Sequence, residues 1–407
     1  MIFETFPPAL ILLFAAFMAV ISRPNARAII LLVAPLVTLW AIWSLPDGVL
    51  ITTRFLGYPI EPLEVSPLRR MFATVFTIMA FTGALFSFRT AKTAELGAAF
   101  AYASGAVGVS FAGDLITLFI WWEIMAIFST IVVWCGGTEA SRRAGIRYAM
   151  MHLLSGILLK IGIEGVYVQT GSLEIQAMLA TDLDRWLILI GILINAAAPP
   201  FSAWLPDAYP ETSPTGAVFL SAFTTKTAVL ALILLFPGEQ LLIWVGLYMV
   251  FYGIIYALLE NDARRILAYS IINQVGFMVC AIGIGTELAL NGAALHAFAH
   301  IIYKALLLMS AGVVVYRTGM RTCTDLGGLF RTMPVTCICG IIGALAISSF
   351  PLTSGYTTKT MISVAAEQQH LVFVWYMLAA ASAGVFLHAG IKFPWFVFFQ
   401  KDSGLRP

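Results

Sequence analysis

Charge is scarce in this chain of 407 residues, of which only 11% are Asp, Glu, Lys or Arg. Soluble domains carry about 25%. Hydrophobic residues make up 60% of the sequence, and the mean hydropathy is +0.92. No water-soluble fold of this length buries so much apolar surface, which excludes a soluble enzyme, a nucleic-acid binder and a disordered chain. The composition predicts a membrane protein surrounded by a lipid bilayer. A net charge of +2 is too small to indicate a polyanionic partner such as nucleic acid.

Cysteine is also scarce, and its five positions include no C-x-x-C pair. We therefore expect neither a disulfide framework nor a metal site. The sequence has no nucleotide or flavin glycine fingerprint, haem motif or Fe–S cysteine run, so we expect no cofactor and no intrinsic redox chemistry. The N-terminal MIFETFPPAL has no basic residue before its apolar run, which favours a first transmembrane helix over a cleaved signal.

Long apolar runs dominate the rest of the sequence. A helix needs about 20 apolar residues to cross a bilayer, and about thirteen segments approach this length, which predicts an all-α membrane protein. The seventh and twelfth segments are interrupted by Pro199 and Pro200 and by Pro351 and Gly355, so we expect broken helices near 195–200 and 351–355. The thirteen segments are 5–22, 27–46, 70–88, 94–112, 114–136, 146–169, 186–209, 214–237, 240–259, 266–285, 290–316, 335–365 and 371–391.

The basic residues between these segments predict an orientation. With the N-terminus outside and the spans alternating, fourteen Lys and Arg residues lie in inside loops. Only Arg54, Arg69, Arg70 and Arg185 lie in outside loops. Positive residues accumulate on the cytoplasmic side of membrane proteins, so the count supports both the helix assignment and a multi-pass protein with its N-terminus outside.

Ionisable residues inside the apolar segments are the candidates for function, because charge within a bilayer is costly. Glu123 and Lys226 lie in the middle of their segments, too deep for Lys226 to reach an interface. A buried carboxyl or amine at these positions is suited to exchanging a proton; the alternatives are a neutral, hydrogen-bonded Glu123 and a snorkelling Lys226.

A second set of ionisable residues follows in the later segments. His296, His300 and Lys304 recur at four-residue intervals and would form one stripe on a helix, typical of either a proton relay or a polar helix–helix contact. Lys359 follows the second predicted break, where exposed backbone is tolerated only beside protein or water. We expect Glu123, Lys226, His300 and Lys359 to face the interior of the helix bundle.

Three further ionisable residues are less specific. Lys160 and Glu164 lie one helical turn apart, so a structural ion pair and a functional role are equally compatible with the sequence. Lys392 lies near the inside end of the last segment and is interpreted as an interfacial anchor.

Several stretches closely resemble one protein family, the antiporter-like proton-translocating subunits of respiratory complex I, membrane-bound hydrogenases and Mrp-type cation/proton antiporters. Within this family the sequence most resembles the D-type subunits of the Mrp antiporters. The resemblance covers roughly residues 70–400, with W-L-P-D-A followed by K-T-A as its most specific element. The stretches are FAGDLITLFIWWEIMAIFS, PPFSAWLPDAYPETSPTGAVFLSAFTTKTAVLAL, ENDARRILAYSIINQVGFM, LHAFAHIIYKALLLMSAGVV and FPLTSGYTTK.

The resemblance implies two inverted repeats of five helices, each with a broken helix. It divides the chain into N-terminal helices at 1–92, a first repeat at 93–237 and a second at 238–400. Residues of this chain that match the family's proton path are Glu123, Lys226, His296, His300, Lys304 and Lys359.

The sequence departs from the family pattern at two places. Asn195 stands where the first broken helix usually carries a lysine, and asparagine cannot hold a proton as a charge. Glu123 then couples directly to Lys226, or Lys160 and Glu164 take part, or this half does not conduct. The family usually has one more helix after the thirteenth, which implies that the sequence is truncated after residue 400 or the gene is split.

The resemblance predicts a protein that moves H⁺, alone or in exchange for Na⁺ or K⁺, in a bacterial-type inner membrane. Its partners would be the other membrane subunits of a hetero-oligomeric antiporter or of a complex I-like respiratory or hydrogenase complex. The alternative is a structural subunit of a larger redox complex, such as an NADH:quinone oxidoreductase, with little transport of its own.

Overall fold

The computed structural model describes residues 5–406, and they are mostly helical. Nine helical segments of this part are long and apolar enough to cross a membrane. The other four predicted segments form shorter, interrupted or less apolar helices, so about thirteen spans stays a prediction. The helices are α1 Pro8–Ile21, α2 Pro24–Ser44, α3 Pro67–Ser87, α4 Thr93–Phe111, α5 Leu115–Trp134, α6 Glu139–Thr170, α7 Leu183–Asn195, α8 Trp204–Ala208, α9 Pro214–Ala222, α10 Thr224–Leu235, α11 Leu241–Leu259, α12 Ala263–Ile284, α13 Glu287–Thr318, α14 Pro334–Ile347, α15 Ser354–Gln368 and α16 Val372–Val385, followed by π-helical turns at Phe386–Lys392 and Trp395–Phe399.

Polar residues at the ends of the apolar runs fix where the helices start and stop. Asp114 caps α5 by accepting a hydrogen bond from the Thr117 amide at 2.8 Å. Thr138 and Ser141 cap α6 reciprocally, which satisfies amide groups that the first turn leaves unpaired. At its other end α6 stops at Gly171, which adopts φ +70°, a left-handed conformation that favours glycine.

A two-stranded antiparallel sheet between α2 and α3 was not expected from the sequence, which predicted only an outside loop. Strands β1 (Gly48–Phe55) and β2 (Tyr58–Val65) are joined by a tight turn at Leu56 and Gly57, both with positive φ. The alternating apolar positions of this stretch are the signal for strands. The described residues are therefore mostly helical, with one short sheet added.

Buried Arg69, at the start of α3, ties this sheet to the helices. Its guanidinium forms an ion pair with Glu64 of β2 at 2.5 Å and donates to the Ala112 carbonyl at 2.5 Å. The Glu61 amide of β2 also donates to Asp114 at 2.7 Å. The sheet therefore holds the ends of α3 and α5 together.

The described residues form two compact units. The first contains those up to Asn195 together with Glu211–Phe236, and the second contains Ala196–Pro210 together with those from Pro237 onward. In the second unit, α12 is buried along nearly its whole length, and in the first unit α9 and α10 are almost completely buried. These enclosed helices bring polar side chains into apolar surroundings.

Two helices are interrupted where the sequence carries its prolines. α7 ends at Asn195, Ala197 has φ +60°, and Pro199 and Pro200 precede the short α8. α14 ends at Ile347, and the chain passes through Ser349 and Leu352, both with positive φ, before α15 begins. Each interruption frees backbone carbonyls from helical hydrogen bonds.

Candidate functional site

Glu123 lies where α5 packs against α6. Its Oε1 rests so closely on Gly156 of α6 that a Cβ at this glycine would overlap the oxygen. Among residues 5–406, Oε1 is buried without a hydrogen-bond partner, so an ionised carboxylate is costly here. Glu123 as a whole residue is half-buried. It also lines an apolar groove of about 500 Å³ between α5 and α6. It is thus less enclosed than we expected from the sequence.

Lys226 is completely buried in the first turn of α10. Its ammonium donates to the Ser221 carbonyl at 2.6 Å and to Oγ1 of Thr225 at 3.0 Å. The Ser221 carbonyl is accessible because the helix is interrupted between Ala222 of α9 and Thr224 of α10. The side chain does not snorkel, and within the described part of the chain its acceptors are these two oxygens rather than a carboxylate.

The stripe predicted on α13 is present, and His296, His300 and Lys304 are all completely buried. The rings of the two histidines lie 6.3 Å apart. Nδ1 of His296 lies 2.7 Å from Oγ1 of Thr358 on α15, and Nε2 lies 3.2 Å from Oε1 of Gln274 on α12. The stripe therefore joins three helices of the second unit.

Lys359 of α15 is nearly completely buried beside the second helix interruption. Its ammonium donates at 2.9 Å to the carbonyl of Ile347, the last residue of α14. It also lies 4.8 Å from the ring centroid of Phe277, a favourable cation–π distance. The Lys359 ammonium thus donates to a carbonyl at a helix interruption, as the Lys226 ammonium does in the first unit.

Lys160 and Glu164 form an ion pair, and both side chains are about one-third exposed. Tyr58 of β2 donates to both carboxylate oxygens of Glu164, at 3.1 and 3.0 Å, and this hydrogen bond raises the pKa of Tyr58. The Lys160 ammonium lies 5.3 Å from the Tyr58 ring centroid. This geometry favours the structural interpretation of the pair, which fastens the sheet to α6.

The role of Lys392 as an interfacial anchor stays a prediction, and the structure shows which groups its ammonium contacts. Its ammonium donates to the carbonyls of Ala257, Leu258 and Glu260 at 3.1, 2.7 and 2.5 Å. These carbonyls belong to the C-terminal end of α11, where a positive charge is favourable. Lys392 therefore caps a helix.

Sequence reasoning missed two buried histidines. His152 of α6 lies with Nδ1 2.8 Å from Oδ1 of Asn195, the last residue of α7. His388, in the first π-helical turn, is completely buried with Nδ1 3.0 Å from the Gly384 carbonyl. Both histidines are ionisable residues within apolar segments, and this property is the signal that could have identified them. Within the described residues, no three His, Cys, Asp or Glu side chains are grouped to hold a metal ion.

Comparison with known proteins shows which family this chain is similar to. Residues 112–386 match a family model described as NADH:quinone oxidoreductase/Mrp antiporter, transmembrane. The A/B-type subunit of a probable K⁺/H⁺ antiporter of Rhizobium meliloti is 31% identical over 290 residues, 67% of this chain but only 29% of that protein. The D-type subunit of the Na⁺/H⁺ antiporter of Alkalihalophilus pseudofirmus is 30% identical over 345 residues, 78% of this chain and 70% of that protein.

The fold is likewise similar to that of one chain in a solved complex. A chain in the structure of the Mrp complex from Dietzia sp. superposes with a TM-score of 0.85 at 23% sequence identity. The match covers 98% of this chain and 80% of that chain. At this identity the likeness concerns the fold alone.

Proposed function

Because this chain belongs to the NADH:quinone oxidoreductase/Mrp antiporter family of membrane proteins, we propose that it is an ion-translocating subunit of a multisubunit monovalent cation/proton antiporter. It corresponds to the D-type subunit, and H⁺ is the ion it moves, in exchange for Na⁺ or K⁺. The observation that carries the proposal is the set of buried ionisable side chains, Lys226 in the first unit and His296, His300, Lys304 and Lys359 in the second.

Two inverted repeats, 93–237 and 238–400, provide the two halves of the path, after N-terminal helices at 1–92. In each repeat a buried lysine donates to the carbonyl of a residue at a helix interruption, Lys226 to Ser221 and Lys359 to Ile347. The ammonium therefore has a nearby acceptor when charged, and the loss of a proton leaves only one or two hydrogen bonds to rearrange. This correspondence supports a shared role in holding and releasing a proton.

Electrostatic coupling between neighbouring buried groups is strong enough to direct such transfer. Two unit charges about 8 Å apart interact by roughly 2 kcal/mol at an effective dielectric constant near 20. An elementary charge gains about 2.3 kcal/mol across 100 mV. A proton that arrives at one group therefore changes the free energy of protonating the next group. The size of this change is comparable to the driving force across the membrane. In the first repeat, Glu123 is the first group in this series of proton transfers.

The protein works in an inner membrane with its N-terminus outside and with other membrane subunits as partners. The groove between α5 and α6 exposes Ile127, Met150 and Leu153, an apolar surface that suits lipid or a neighbouring protein of the complex. The alternative function is a structural subunit of a larger redox complex. Asn195 supports it, because an amide cannot replace a titrating lysine.

Cation-dependent proton flux distinguishes these functions. The complex is purified through a tag on this chain, reconstituted in liposomes and supplied with a pH gradient, and the decay of that gradient is followed after NaCl or KCl is added. We expect Lys359→Met to reduce the flux at least tenfold while the exposed Lys401→Met, the matched control, leaves it unchanged. Equal flux in both variants would leave only the structural function.

A further inference from the structure

His152 occupies a position in the first unit that has no assigned role. It is almost completely buried on α6, and its Nδ1 lies 2.8 Å from Oδ1 of Asn195, where α7 ends. Asn195 is itself 4% exposed. The amide therefore fixes the orientation of the imidazole in a place that water does not reach from the surface.

On one side, His152 shares a helix face with the glycine that the Glu123 carboxyl group contacts. Gly156, on which Oε1 of Glu123 rests, follows His152 by one helical turn on the same face of α6, a rise of about 6 Å. A second contact holds α5 on this part of α6, since Nε1 of Trp122 donates to Oγ of Ser155 at 3.3 Å. The Glu123 carboxyl group of α5 thus lies against the face of α6 that carries the His152 imidazole.

On the other side, a series of buried hydroxyl groups extends toward Lys226. The Tyr148 and His152 ring centroids lie 4.1 Å apart, and the Tyr148 phenol lies near the side chains of Ser129, Tyr102 and Thr224. The Tyr102 hydroxyl lies 2.5 Å from Oγ1 of Thr224.

The residue that follows Thr224 in the sequence carries the hydroxyl group that contacts the amine. This is Thr225, whose Oγ1 accepts from the Lys226 ammonium at 3.0 Å. Hydroxyl groups both donate and accept, so these groups can pass a proton when they come into hydrogen-bond contact.

We propose that His152 carries protons between Glu123 and Lys226, a role that rests on the ion-translocating function proposed above. With Oδ1 of Asn195 as acceptor, Nδ1 keeps its hydrogen, and Nε2 is the atom that gains and loses the second proton. The neutral imidazole takes the proton of the Glu123 carboxylic acid and leaves a carboxylate. The imidazolium then gives a proton to the hydroxyl series, and the neutral Lys226 amine becomes an ammonium.

Asn195 is then a positioning residue, and the charge resides on its neighbour. The double variant His152→Ala/Asn195→Lys would put a titrating group back at the same contact. A purely packing role for His152 predicts no benefit from that exchange, because a buried lysine fills the space differently and costs desolvation.

The test measures cation-driven proton flux in inverted membrane vesicles that contain the whole complex, normalised to the amount assembled. We expect His152→Asn to lose at least tenfold in rate and His152→Ala to lose as much. The matched control His370→Asn changes an exposed loop histidine with φ +56°, which asparagine tolerates, and should retain the wild-type rate. The double variant His152→Ala/Asn195→Lys should recover at least one-third of it.

Three results would overturn the proposal. They are a rate within twofold of wild type for His152→Asn, no recovery in the double variant, and failure of all three position-152 variants to assemble, which would assign His152 to packing. Glu123→Gln is measured in parallel. If it stops transport while His152→Asn does not, only the role of His152 falls. If neither variant affects flux, the proposed function falls too.

Discussion

Replacing Lys226 by methionine separates a conducting role from a structural one. The change keeps most of the length of a completely buried side chain and removes its charge. It deletes two hydrogen bonds, to Ser221 and Thr225, and bonds from a charged donor contribute about 1.5–3 kcal/mol each. It also removes the desolvation cost of a buried ion, several kcal/mol. The two effects nearly cancel, so we expect the free energy of unfolding to stay within about 2 kcal/mol of wild type.

Transport should behave differently from stability in the same variant. Without the amine, no proton can be held between α9 and α10, so we expect antiport in inverted vesicles to fall at least tenfold at normal abundance. Lys92→Met, at an exposed lysine whose Nζ lies 3.2 Å from the Cys135 carbonyl, is the matched control. Wild-type antiport by Lys226→Met would refute the conducting role, and loss of the assembled complex would refute the cancellation.

Three other variants test separate parts of the structure. Arg69→Met leaves the half-buried Glu64 without its partner and removes the hydrogen bond to the Ala112 carbonyl, so we expect about 1–3 kcal/mol of destabilisation, seen as a lower melting temperature of the purified complex; an unchanged melting temperature would contradict this. Gly156→Ala would displace the Glu123 carboxyl group, and we expect antiport to fall severalfold with assembly intact; an unchanged rate would show that the contact is unimportant. Lys160→Met with Glu164→Gln removes a partly exposed pair, which should cost at most about 1 kcal/mol and leave antiport near wild type; a tenfold loss would return the pair to the proton path.

The helical character and the two interruptions could be predicted because each depends on local sequence. Apolar runs specify membrane helices, and Pro199, Pro200 and Pro351 remove backbone donors wherever they occur. The spacing of His296 and His300 likewise predicts a shared helix face without knowledge of the neighbouring helices. Their ring separation of 6.3 Å is consistent with that spacing.

The remaining features depend on residues that are distant in the sequence. His152 and Asn195 are 43 residues apart, and nothing near either position indicates their contact. Tyr58 reaches Glu164 only because the segment 48–65 forms a sheet. Glu123 is less enclosed than predicted. Hydropathy indicates how far a residue lies from the ends of an apolar helix, but it does not indicate which face of the helix packs against a neighbour.

Cation-driven proton flux by the assembled complex carrying Glu123→Gln tests the central claim most directly. Glutamine keeps the size and shape of the side chain in contact with Gly156 but cannot exchange a proton. We expect this variant to assemble normally and to lose coupled transport, and we expect the same loss for Lys226→Ala, with the double variant no worse than either. Glu123→Asp should retain partial activity. Wild-type flux by Glu123→Gln at normal abundance would show that this half of the protein is structural.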